Sequence, residues 1–238
     1  MERALPHSRS RGQLVPAIVF DCGLWMLDAV IPRLQRLHVT PNFLSLISIP
    51  ASLCAAALVA SGHFGIAGPV VLLAFSLDAC DGALARRLGT ASDAGEIVDA
   101  TIDRYNDLII MLGFLYYFRL SPISWLVAAA ALVGTVAVSY VRAKGASFGI
   151  DADIGFMQRH ERALWLGVST SSAPAIAALF EEPSRNPSYY AVLVALGMLA
   201  IGTNITAIRR ARLVVETLMT RQRNCPDTDR RMWGTASP

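Results

Sequence analysis

Six long apolar runs constrain this chain more than any other feature. They read "FLSLISIPASLCAAALVASG", "FGIAGPVVLLAFSL", "LIIMLGFLYYF", "ISWLVAAAALVGTVAVSYV", "ALWLGVSTSSAPAIAALF" and "YYAVLVALGMLAIGTNITAI". A helix needs about 20 mostly apolar residues to cross a bilayer. Some runs fall short alone, but they lengthen once flanking polar residues face the interior of a bundle. Only helices and closed barrels satisfy their backbone in lipid. Composition agrees: 54% of residues are apolar and 16% charged, against about 25% charged in a soluble domain. The fold class expected is an all-α integral membrane protein with six transmembrane helices.

An amphipathic helix over 14–38 is expected to lie on the membrane surface before the first span, after a polar tail at 1–13. Asp21, Asp28 and Gln35 recur every seven residues on one face of it, and carboxylates in mid-span are costly. The polar start "MERALPHSRSRGQ" does not resemble a secretory signal. Residues 39–221 form the six-helix domain, and 222–238 read as a flexible tail. Arg119 and Arg185 fall in odd-numbered loops. Apart from Arg104, every other Lys and Arg lies with the termini or the even-numbered loops. The positive-inside rule then places both termini, and those loops, in the cytoplasm. In a bacterium this is the inner membrane. The net charge of +3 reports topology, not a nucleic-acid partner. The basic stretch "RRARLVVETLMTRQR" either ends the last helix or meets anionic headgroups.

Cys22, Cys54, Cys80 and Cys225 show no paired spacing and are expected as free thiols. Asn204-Ile-Thr206 matches a glycosylation sequon but falls inside a span. Thr40 and Pro41 mark the first helix start. The later helices are expected over about 64–88, 93–119, 122–146, 159–181 and 187–218, with Ser92 or Asp93 capping the third.

Against this apolar background, "DACDGALARRLGTASDAGEIVDATID" stands out. At about 100° per residue, Asp78, Asp81 and Ala85 project in nearly one direction from the second helix, with Gly82 beside them. Gly95, Asp99 and Asp103 follow at steps of four on the third. The linking turn is short, so the helices are antiparallel neighbours and their carboxylate faces can meet near the cytoplasmic mouth. Four clustered anions repel and resist burial. A divalent cation removes both objections, and oxygen ligands without His or thiolate suit Mg²⁺ or Mn²⁺. Cys80 points elsewhere. Gly82, Ala85 and Gly95 clear space beside the carboxylates for a ligand. On hydropathy alone, a cation transporter with intramembrane carboxylates is the competing reading.

The stretch fits D-x2-D-G-x2-A-R-x8-G-x3-D-x3-D at all eight fixed positions. It resembles the signature of the CDP-alcohol phosphotransferase family, whose members displace CMP from a CDP-linked lipid with an alcohol. The resemblance implies that Asp78, Asp81 and Asp99 hold one or two divalent metals. Asp103 would be the general base and could touch the second metal. Gly82, Arg86 and Ser92 would contact the CDP-alcohol, with Ala85 and Gly95 giving it room. "TPNFLS" resembles the family's "PNxLT", which brings Pro41, Asn42 and Ser45 to the nucleotide, Ser45 replacing the usual Thr.

"SYVRAKGASFG" and "GFMQRHERALWL" resemble the branch with phosphorylated acceptors. There Arg142, Arg159 and Arg162 match the positions that bind the acceptor phosphate; Lys144 stands where Arg is common and Gln158 replaces Glu. The resemblance thus implies transfer of a phosphatidyl group from CDP-diacylglycerol to inositol phosphate. Glycerol phosphate is the runner-up acceptor. Membrane lipids are the other partners, and a homodimer is possible.

Overall fold

A computed structural model describes residues 30–90, 92–152, 154–155, 159–182 and 187–224. Six long helices run through them: α1 (Pro41–Ala60), α2 (Phe64–Leu88), α3 (Asp93–Tyr117), α4 (Pro122–Ser147), α5 (Arg159–Phe180) and α6 (Tyr190–Asn224), with a 3-10 turn at Phe118–Leu120. No strand occurs among the described residues. Local chemistry sets the ends. α1 and α4 open on Pro41 and Pro122, where a missing N–H costs nothing. α2 closes on Gly89 in the left-handed region (φ 66°). Ser92 caps α3, its Oγ accepting from the Gly95 N–H at 3.1 Å. Thr40 takes the cap position of α1 without a side-chain bond.

Five of these helices, all but α3, are long and apolar enough to cross a membrane. The protein is an integral membrane protein. α3 misses that criterion because its first fifteen residues carry Asp93, Glu96, Asp99, Asp103, Arg104 and Asp107. Its 25 residues still measure about 37 Å, as long as its neighbours. Of the expected surface helix, residues 30–36 are helical, while 14–29 lie outside the described residues, with Asp21 and Asp28. Ile31 is buried with Leu44, Cys80 and Leu84, which accounts for Cys80 as packing. Cys54 and Cys80 are free thiols; Cys22 and Cys225 are not described.

α1 packs along both α2 and α3, α2 packs on α5, and α4 packs on α6. α2 and α3 are less intimate neighbours than their short link suggests: they meet only sparsely, and α1 is the helix that holds both. Small residues permit the close crossings. A Cβ at Gly113 would lie 2.7 Å from the Ala56 carbonyl oxygen of α1. At Gly68 it would lie 2.4 Å from the Ser171 nitrogen of α5. Asn204 lies within α6 and donates to the Ala130 carbonyl of α4 at 3.0 Å, so the sequon residue serves helix packing.

One end of the bundle is sealed by aromatic rings. Phe64, Phe114, Tyr117, Phe118 and Tyr189 cluster there, and Tyr117 donates to the Pro187 carbonyl at 2.7 Å. Glu181 accepts from the N–H groups of Tyr189 and Tyr190 at the start of α6. At the other end, α6 runs on through the basic stretch to Asn224, six residues past the expected 218. Arg221, beyond residue 218, reaches back to the loop after α4 and holds the extension, while Val214 is buried against Ile150 and Ala152 one turn before 218. Arg210 donates to the Ile154 carbonyl at 2.8 Å and Arg221 to the Phe148 carbonyl at 2.8 Å. Both bind the loop after α4 to α6.

Candidate active site

The polar end gathers the N-termini of α1, α3 and α5 with the C-termini of α2, α4 and α6. Asp78 on α2 and Asp99 and Asp103 on α3 converge there, one carboxylate oxygen of each lying within 4.8 Å of the others. Asp78 is 3% exposed. Asp78 Oδ1 and Asp99 Oδ1 are buried without a hydrogen-bond partner among the described residues. Asp81, 1% exposed, stands outside this trio. It accepts from the Ser45 hydroxyl of α1 and the Gly82 N–H.

Arg159, the first residue of α5, reaches into the cluster. Its Nη1 pairs with Asp78, and its Nη2 lies 2.8 Å from Asp103 Oδ1. The guanidinium sits over the Phe75 ring at 5.5 Å. One cation among three carboxylates leaves the cluster net anionic. The arrangement can therefore take further positive charge, and its donors are all hard oxygens.

The remaining expected residues fall around this centre. Pro41 and Asn42 lie in the first turn of α1, and Ser45 is buried one turn on. A Cβ at Gly82 would lie 3.4 Å from Arg86 Nη1 and 4.0 Å from Asp99 Oδ2, which places Gly82 beside both side chains in ordinary contact distance. Ala85 is half-buried and Arg86 exposed on the same helix. Ser92 and Gly95 form the exposed first turn of α3. Arg142 is exposed near the C-terminal end of α4. Arg162 is only 6% exposed and faces Asp107, its Nη2 lying 3.8 Å from Asp107 Oδ2. Gln158 lies outside the described residues.

The sequence reading passed over three buried polar residues. Asn106 donates to Ser48 Oγ at 2.8 Å, and Ser48 donates to the Ser45 carbonyl at 2.7 Å, which ties α3 to the backbone of the residue whose hydroxyl holds Asp81. Asp107 continues the step of four that runs Gly95, Asp99, Asp103. That periodicity was the available signal.

A model of the CDP-alcohol phosphatidyltransferase family matches residues 38–204, and the chain belongs to that family. It is a membrane-embedded transferase of phospholipid biosynthesis. A phosphatidylinositol phosphate synthase from Cutibacterium acnes is 35% identical over 144 residues, 58% of this chain and 69% of that protein. The crystal structure of Mycobacterium tuberculosis phosphatidylinositol phosphate synthase with CDP-DAG bound is similar at a TM-score of 0.67 and 26% identity. That match covers 79% of this chain and 92% of the other. The same enzyme in complex with manganese and citrate matches at a TM-score of 0.67 and 26% identity, over 79% and 88% of the chains. Family membership sets aside the carboxylate transporter.

Proposed function

We propose that the protein transfers the phosphatidyl group of CDP-diacylglycerol to inositol phosphate and releases CMP. The observation that carries this reading is the convergence of Asp78, Asp99 and Asp103 with Arg159 at one end of the bundle. The likeness to phosphatidylinositol phosphate synthases favours inositol phosphate over glycerol phosphate.

The carboxylates fit a divalent metal, Mg²⁺ or Mn²⁺: hard donors, close spacing, and two buried oxygens without partners. Asp78, Asp99 and Asp103 would hold it, with Asp81 joining from its place beside Ser45. When bound, the ion supplies charge neutralisation for the diphosphate and the CMP leaving group. Around it, Pro41, Asn42 and Ser45 line the nucleotide, Gly82, Ala85 and Gly95 leave it room, and Arg86 and Ser92 contact the CDP-alcohol. Asp103 takes the proton of the acceptor hydroxyl. As it does so, the hydroxyl oxygen bonds to the phosphorus that carries the diacylglycerol, and the bond from that phosphorus to CMP breaks. Arg142, Arg159 and Arg162 bind the acceptor phosphate, Arg159 as a planar fork.

In the membrane, we place α3 as a sixth span beside α1 and the helix ending at residue 36 as an interfacial element. We draw the six-helix domain from 39 to the end of α6 at Asn224, three residues past the expected 221, and the carboxylate end faces the cytoplasm, where soluble acceptors are. A homodimer is compatible with this arrangement. CMP release over a panel of inositol phosphate, glycerol phosphate, free inositol, serine and choline tests the reading. Inositol phosphate is expected to drive release best; release driven by an unphosphorylated alcohol instead would reject it.

A further inference from the structure

Asp107 lies one turn deeper along α3 than Asp103 and is 7% exposed. It stands outside the trio of Asp78, Asp99 and Asp103. Three guanidinium groups face it. Arg104 Nη1 lies 3.6 Å from Oδ2, Arg162 Nη2 3.8 Å from Oδ2, and Arg159 Nε 4.0 Å from Oδ1. The two oxygens thus divide between the two arginines of α5. Among the described residues, Asp107 is the one carboxylate at ion-pair distance from Arg162. A buried guanidinium without a counter-charge is strongly unfavourable. These contacts are charge pairs rather than hydrogen bonds: Asp107 Oδ2, Arg159 Nε, and Nε and Nη1 of Arg162 have no hydrogen-bond partner among the described residues. Asp107, Arg162 and Thr135 also line one small cavity, walled by Phe75, Met111 and Leu199. Arg159 is shared: its Nη atoms turn to Asp78 and Asp103, while its Nε side turns to Asp107.

We infer that Asp107 is a positioning residue for the acceptor, a buried anion that holds Arg159 and Arg162 in place to receive its phosphate. The inference rests on the phosphorylated-acceptor reading above. Asp107 touches neither the donor nor the reacting oxygen; it acts through the two arginines. Its loss is therefore felt in acceptor binding before donor binding. With Asp107 neutral, Arg159 has only Asp78 and Asp103 to face, and Arg162 loses its counter-charge.

The test is steady-state CMP release by the full-length protein in detergent, with CDP-diacylglycerol and Mn²⁺, varying inositol phosphate or free inositol. Asp107→Asn is expected to raise KM for inositol phosphate tenfold or more, with KM for CDP-diacylglycerol changed less than threefold. It also lowers the preference for inositol phosphate over free inositol. Asp107→Glu, which keeps the charge but moves it by a methylene, falls between. An unchanged acceptor KM in Asp107→Asn overturns the inference, as does an equal loss for both substrates that Glu does not relieve. Should the Asn variant fail to fold, Asp107→Glu carries the test: a threefold or larger rise in acceptor KM alone supports the inference, and none overturns it. A wild-type protein that prefers free inositol defeats the acceptor reading itself, which separates that failure from this one.

Discussion

Asp103 is the proposed base. It lies within ion-pair distance of Arg159 and within the carboxylate trio. Asp103→Asn keeps the shape but cannot accept the acceptor proton. It is expected to lower kcat by about 10²–10⁴ while CDP-diacylglycerol still binds, as measured by CMP release and lipid-binding titration. Near-normal turnover would remove Asp103 from the role of base. Arg159→Lys keeps the charge and loses the fork. It is expected to raise KM for inositol phosphate about tenfold, or about 1.4 kcal/mol of binding, as read by CMP release at fixed CDP-diacylglycerol. The convergence of Asp78, Asp99 and Asp103 was legible because helical periodicity puts Asp99 and Asp103 on one face of α3 and the short link brings that face back toward Asp78. Asp107 shares that periodicity, but its meaning was hidden: its partners come from α5, and spacing says nothing of contacts between helices distant in sequence. The turning of Asp81 to Ser45 was hidden for the same reason.

Helix boundaries were more legible than helix contacts. α2 occupies 64–88 as expected because Gly89 provides a left-handed stop. The end of α6 was missed because its basic residues looked like a terminus, whereas Arg221, beyond 218, binds the Phe148 carbonyl of the loop after α4. The sparse contact between α2 and α3 was likewise invisible, since a short link says only that two helices start close together. α1 instead carries the packing, through the approach of Gly113 to Ala56. Gly113→Val is expected to destabilise the bundle by about 1–3 kcal/mol through overpacking, read as a lowered Tm in detergent. Gly197→Val, where nothing lies within 4 Å of an added Cβ, is the matched control and is expected to lower Tm far less. An equal Tm for both variants would contradict the close crossing.

The whole molecule has two unlike ends. The aromatic seal and Glu181 close one; the carboxylates, the arginines and the loop bound by α6 occupy the other. Between them Leu46, Leu53, Ile66, Leu73, Leu126 and Ile201 are exposed apolar side chains, as lipid-facing positions should be. The proposed orientation predicts that a cysteine introduced at Thr90 is protected from an impermeant thiol reagent in intact cells, and one at Ser121 is labelled. The reverse pattern would invert the topology. The claim that joins these levels is that one polar end binds the metal, the CDP-lipid and a phosphorylated acceptor together. Its most direct measurement is CMP release from CDP-diacylglycerol by purified protein, with and without chelator, over the acceptor panel. Release is expected to need Mg²⁺ or Mn²⁺ and to be fastest with inositol phosphate; release indifferent to the metal, or driven by free inositol in preference to its phosphate, would contradict a shared site.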